Sequence, residues 1–136
     1  HMNDVLIPVT MCHELSHLSG YMREDEANFI AFLACLQSDD PEFRYSSVYL
    51  ASVHAMNALL TVDSDLWNQA DALKSDALRR DIRSNNAYWK QYETPVSEVS
   101  DRGNAAYLKA NGQENGLRSY GRMVDLLLAY YRDELQ

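Results

Sequence analysis

The segment "HELSH", residues 13–17, constrains the fold more than any other, because its two histidines stand four residues apart. On an α-helix that spacing projects both imidazoles from one side, about one turn from each other. The flanking Thr10, Met11, Cys12, Leu15, Ser16 and Leu18 carry no charge, which predicts a helix suited to burial. Asn3 or Asp4 is the expected cap, Pro8 is tolerated in the first turn, and Gly20 is the expected stop. No stretch alternates convincingly with period two, although "VLIPV" taken alone has the look of a strand end. The prediction is an all-α chain.

The remaining punctuation supports five or six helices. A second helix begins near Arg23 with Ala27, Ile30, Ala31, Ala34 and Cys35 on neighbouring faces, and "QSDDPEF" ends it. A third is expected from about Glu42 to Thr61, with Leu50, Val53, Met56 and Leu60 at helical spacing. Asp63 or Ser64 caps a long polar helix with Leu66, Ala70, Leu73 and Ala77 as its buried stripe. That helix is expected to break near "SNNAYW" and resume to Glu93. Thr94-Pro95 signals a further start, for a helix ending at Asn111-Gly112, and "NGQENG" reads as a loop. The last helix, Ser119 to about Glu134, turns Met123, Leu126, Leu127 and Tyr130 inward.

Length bounds this to one domain, residues 3–136, with His1-Met2 reading as a cloning scar. A hydrophobic share of 46% with only five glycines and three prolines argues against disorder. The formal charge of -8 excludes nucleic acid as the expected partner, since phosphate binding needs a basic face. Two cysteines are too few for a disulfide framework, and Cys12 and Cys35 both fall on apolar helical faces, so buried free thiols are expected. No apolar run reaches the roughly 18–20 residues that span a bilayer.

The chemistry concentrates between residues 13 and 28. Imidazoles at positions 13 and 17 can reach one Zn²⁺ at about 2.0–2.1 Å. Glu14 lies about 100 degrees around the helix, beside such an ion, placed to take a proton from its water. A continuation to HExxHxxGxxH would require histidine at position 23, but that residue is Arg23. The next segment instead presents "EDEAN", where Glu24 and Asn28 share a face. Glu24 is the expected third ligand, with Glu26 as rival and Asp25 a weaker one, both expected to be exposed. Asn28 is placed to hydrogen-bond the far nitrogen of a ligating histidine and set its tautomer.

"HELSH…EDEANFIA" resembles the gluzincin metallopeptidases, whose second motif reads E-x-x-x-D or E-x-x-x-N. That resemblance implies Zn²⁺ held by His13, His17 and Glu24, and Asn28 as the histidine's partner. More closely, "HELSHLSGYMREDEANFIAFLAC" together with "SYGRMVDLLLAYY" is similar to the bacterial family catalogued as domain of unknown function 3810, over most of the chain. Members of that family carry transmembrane helices ahead of the HExxH domain. The resemblance therefore implies a C-terminal piece, soluble by itself, of a membrane-anchored protein. Gluzincins also place a sheet before the active helix, and the resemblance implies that this sheet lies outside these residues.

Tyr120 and Arg122 are candidates to meet a developing oxyanion. His54 has no partner at ligand spacing and reads as a core or surface histidine. Tyr88, Trp89 and Tyr92 are read as core and rim, or as a cleft lining. The expected function is a zinc peptidase acting on a protein or peptide, with Glu14 as general base. A metal-binding sensor or scaffold with weak catalysis is the alternative, and a purely structural helical module the third reading.

Overall fold

Each helix begins where the chain can satisfy its first free N–H groups. The structure, a computed structural model, describes residues 4–92 and 119–136, with the side chains of 119 and 120 left aside. A 3-10 turn, Asp4–Leu6, leads into α1, Ile7–Leu18. Leu6 precedes α1 without a side-chain cap, and Pro8 occupies a position whose N–H no helix uses. The N–H of Val9 donates instead to Ser46 Oγ at 3.1 Å, across 37 residues of sequence. A helix end is thereby capped by tertiary structure, which no local pattern announces.

Beyond α1 the backbone folds back on itself. The N–H groups of Ser19, Gly20 and Tyr21 all donate to carbonyls of the last turn, and Gly20 adopts a φ of 103°. Arg23 is extended, and α2 runs Glu24–Leu36 with Glu24, Asp25 and Glu26 in its first turn, where the helix dipole favours negative charge. Asp40 accepts from the N–H of Glu42 to start α3, Pro41–Val62. Asp63 accepts from the N–H groups of Asp65 and Leu66 to start α4, Ser64–Ala72. Ser75 accepts from the Leu78 N–H to start α5, Asp76–Lys90, and α6 is Ser119–Glu134.

The result is a single all-α domain with no strand among the described residues. At its centre is α2, packed against α1, α3 and α6. Phe32 is fully buried with Ala51, Met123 and Leu127, and its ring meets Tyr130 edge-on. On the other side of α2, Val9, Ala31 and Cys35 form a second buried group with Cys12, Phe43 and Leu50 packed against it. Ala27 and Ala31 are wholly buried, so α1 and α2 approach over small side chains.

Several expectations are corrected. The polar helix breaks at residues 73–75, where Ser75 supplies a cap, and runs unbroken through "SNNAYW". Its expected buried stripe is not buried: Leu66 is exposed, Leu73 is 87% exposed, and neither α4 nor α5 contains a buried residue. On α3 the buried positions are Ser46, Ser47, Tyr49, Ala51 and His54 in place of the apolar set. The α1 flanks are not uniformly buried either. Val9 and Ser16 face the protein, while Met11, Leu15 and Leu18 lie exposed. On α2, Ala34 is exposed, and on α6 Leu126 borders solvent while Met123 and Leu127 are buried. The predicted helix between Thr94 and Asn111 and the "NGQENG" loop lie outside the described residues. Among the described residues no helix is long and apolar enough to cross a membrane.

Candidate metal centre

The site is assembled by one helix end, one turn and one helix start. His13 and His17 project from the second half of α1, their rings 4.5 Å apart and nearly perpendicular. The turn at Gly20 reverses the chain, so Glu24, the first residue of α2, meets both. Glu24 Oε2 lies 3.1 Å from His13 Nε2, and Oε1 lies 3.2 Å from His17 Nε2. The three side chains offer donor atoms within 4.8 Å of one another. Two ligands of one tetrahedral ion at ~2.1 Å stand on the order of 3.4 Å apart, a spacing close to that of the two histidine–glutamate pairs.

Hydrogen bonding decides which nitrogen of His17 is available. Its Nδ1 lies 2.6 Å from the main-chain oxygen of Tyr21. A carbonyl only accepts, so Nδ1 carries the hydrogen, and in the neutral ring Nε2 holds a lone pair. That lone pair faces a carboxylate oxygen. Two acceptors at this distance repel unless a proton or a cation lies between them.

Burial is graded across the cluster. The imidazoles of His13 and His17 are 15% and 23% exposed, whereas the Glu24 side chain is 71% exposed. The cluster therefore opens to solvent on its carboxylate side. Glu14, next to His13 on α1, is exposed.

The expected role of Asn28 is not realised. Asn28 is half-buried one turn beyond Glu24, but His17 bonds the Tyr21 carbonyl, and His13 Nδ1 is buried without a hydrogen-bond partner. A main-chain oxygen fills the place assigned to a side chain. Sequence reasoning missed Tyr21 because a backbone carbonyl has no residue signature; the only cue was the turn signal at Gly20.

The rival carboxylates separate clearly. Glu26 is exposed as expected. Asp25, also expected to be exposed, is 5% exposed and accepts from Arg23 Nε at 3.2 Å, Arg23 Nη2 at 3.1 Å and the Glu26 N–H at 3.1 Å. Its neighbour one position earlier meets the histidines because the 100-degree helical step sends the two side chains apart. Arg122 of α6 sits 3.8 Å from Asp25 Oδ2, which engages it as an ion-pair partner of α2. The side chain of Tyr120 lies outside the described residues. His54 is buried on α3 and is not part of the cluster, and Tyr88, Trp89 and Tyr92 pack against one another at the end of α5.

Among families of known sequence, the one described as "Protein of unknown function (DUF3810)" matches residues 1–128. No curated protein and no solved structure matches the chain.

Proposed function

The chain belongs to the DUF3810 family, a family of unknown function, and on that premise we propose that it is a zinc-dependent metallopeptidase-like domain acting on a protein or peptide. One observation carries the reading: His13 Nε2 and His17 Nε2 converge on the two oxygens of the Glu24 carboxylate, a donor set of the type that holds a divalent cation. The HExxH spacing and the E-x-x-x-N segment, both similar to gluzincin sequences, support it.

His13, His17 and Glu24 are the residues that would hold Zn²⁺, which when bound lowers the pKa of its water toward about 7 and polarises a carbonyl. The protein's own residues do the rest. The Tyr21 carbonyl holds His17 in the tautomer that leaves Nε2 free. Glu14 accepts the proton of the attacking water on its carboxylate and delivers it to the leaving nitrogen. The exposed side of the cluster admits the substrate.

One observation favours a second reading. Among the described residues no carboxylate or side-chain amide bonds either imidazole from behind, so the histidines receive less polarisation than an acidic partner would supply. A metal-binding sensor or scaffold with weak catalysis accommodates that.

The test is metal analysis of protein purified without chelator and supplied with zinc. Near-stoichiometric zinc is expected, and a content near zero overturns the proposal. Glu14→Gln should stay folded and zinc-loaded yet lose hydrolysis of a mixed peptide library. Unchanged hydrolysis removes Glu14 from its role. A hydroxamate that binds the zinc form while no hydrolysis occurs favours the sensor reading.

A further inference from the structure

Outside the histidine cluster, a pair of sulfur atoms has the next most specific chemistry. Cys12 on α1 and Cys35 on α2 are both free thiols, and the Cys35 S–H donates to the Cys12 sulfur at 3.3 Å. We propose that Cys12 and Cys35 are a reversible disulfide site, oxidised by exchange with a low-molecular-weight disulfide. The covalent loop so closed runs from residue 12 to residue 35 and contains His13, His17 and Glu24. The proposal does not depend on whether those three residues hold a metal.

The geometry supports direct pairing. A disulfide needs its sulfurs about 2.0 Å apart, so the two must close by roughly 1.3 Å, a movement shared between two side chains. The helices already touch here, because Ala31 and Cys35 are fully buried against Val9, with Cys12 packed on the group.

The two thiols differ in access, which sets the order of events. Cys12 is half-buried, the more accessible residue of the pair, and is assigned the first encounter with an outside reagent. Cys35 is fully buried, and burial, reinforced by its bond to Cys12, pushes its thiol up to about 12. It therefore does not begin the exchange. Cys12 attacks the external disulfide, whose sulfur–sulfur bond breaks, and the departing thiolate takes up the proton that Cys12 has lost. Cys35 then attacks the Cys12 sulfur of the mixed disulfide, and the second thiol leaves with the Cys35 proton. Two protein thiols are oxidised and one external disulfide is reduced to two thiols.

The experiment uses the full chain in EDTA at mildly alkaline pH with defined ratios of oxidised to reduced glutathione, quenched by acid and followed by alkylation. The expected product is a monomer lighter by two hydrogens, without alkylatable thiols, restored by dithiothreitol. The folded chain should be oxidised at a glutathione ratio at least about tenfold more reducing than the chain in guanidinium requires, because the fold holds the sulfurs together. Two remaining thiols, stable double glutathione adducts, interchain dimers or no difference from the unfolded chain each overturn the proposal. Cys35→Ser should accumulate one glutathione on Cys12. Failure of that adduct to form overturns the assignment of Cys12 as the point of entry, and Cys12→Ser is the matching control, expected to remain unmodified while folded.

Discussion

Nδ1 of His17 lies 2.6 Å from the main-chain oxygen of Tyr21, and this contact orients the ring. With its Nδ1 hydrogen given to the carbonyl, the ring turns its opposite nitrogen toward Glu24, 3.2 Å away. The tautomer is set by a turn of the main chain. Any change that moves residues 19–23 should therefore alter the cluster without replacing His13, His17 or Glu24.

Glu24 is the member most open to solvent, so replacing it tests coordination apart from folding. Glu24→Gln is expected to melt within a few degrees of the wild type without metal, since its side chain is 71% exposed. Zinc affinity, measured by competition against a chromophoric chelator, should fall by more than about 100-fold when one of three ligands is lost. Wild-type affinity would move the third ligand elsewhere, with exposed Glu26 the next to test.

Gly20 offers a purely conformational probe. At a φ of 103° it adopts backbone that L side chains rarely take, while a Cβ added there meets nothing within 4 Å. Gly20→Ala should cost about 1–2 kcal/mol through backbone strain alone. Urea denaturation checks this, and zinc binding should weaken with it as the Tyr21 carbonyl shifts. A neutral result would mean the turn relaxes freely.

Packing predicts a sharp contrast between two large apolar residues. Phe32 is fully buried among Ala51, Met123 and Leu127, so Phe32→Ala should cost about 3–5 kcal/mol. Against a typical stability of about 5–15 kcal/mol, that is a large fraction of the whole. Leu73→Ala, at a residue 87% exposed, should stay within about 0.5 kcal/mol. Equal effects in chemical denaturation would contradict the observed placement of α4 and α5.

His54 should make the fold sensitive to acid. It is buried on α3, and desolvation lowers its pKa from the ordinary 6.5, favouring the neutral ring in the folded state. Below 6.5 the unfolded chain takes up a proton that the folded chain still refuses. Stability therefore falls as the pH drops from there toward the folded value, and this contribution levels off below it. His54→Gln should flatten the decline in Tm across that window, measured by thermal melts in metal-free buffer. Parallel pH profiles for the two proteins would remove His54 as a cause.

Much of the helix plan was legible because its signals are local. Asp40-Pro41 and Asp63 start helices by chemistry that acts over two or three residues. His13 and His17 share a helix face by period alone, and Glu24 follows after one short turn, so the candidate cluster could also be read from order and spacing. What could not be read are relations between distant segments. Nothing near Val9 announces that Ser46 caps it, and nothing near Asp25 announces its burial beside Arg122 of α6.

The sequence by itself determined those helix ends whose signals are local, such as the start at Asp63 and the stop at Gly20, and which side chains stand together within α1 and the first turn of α2. Tertiary structure alone decided which helix faces are covered: Ser16 and Asp25 inside, Met11, Leu15 and Leu73 outside, and Cys12 brought against Cys35. The physical reason is that helical periodicity says which residues share a face, whereas burial of that face depends on contacts made across many residues of chain.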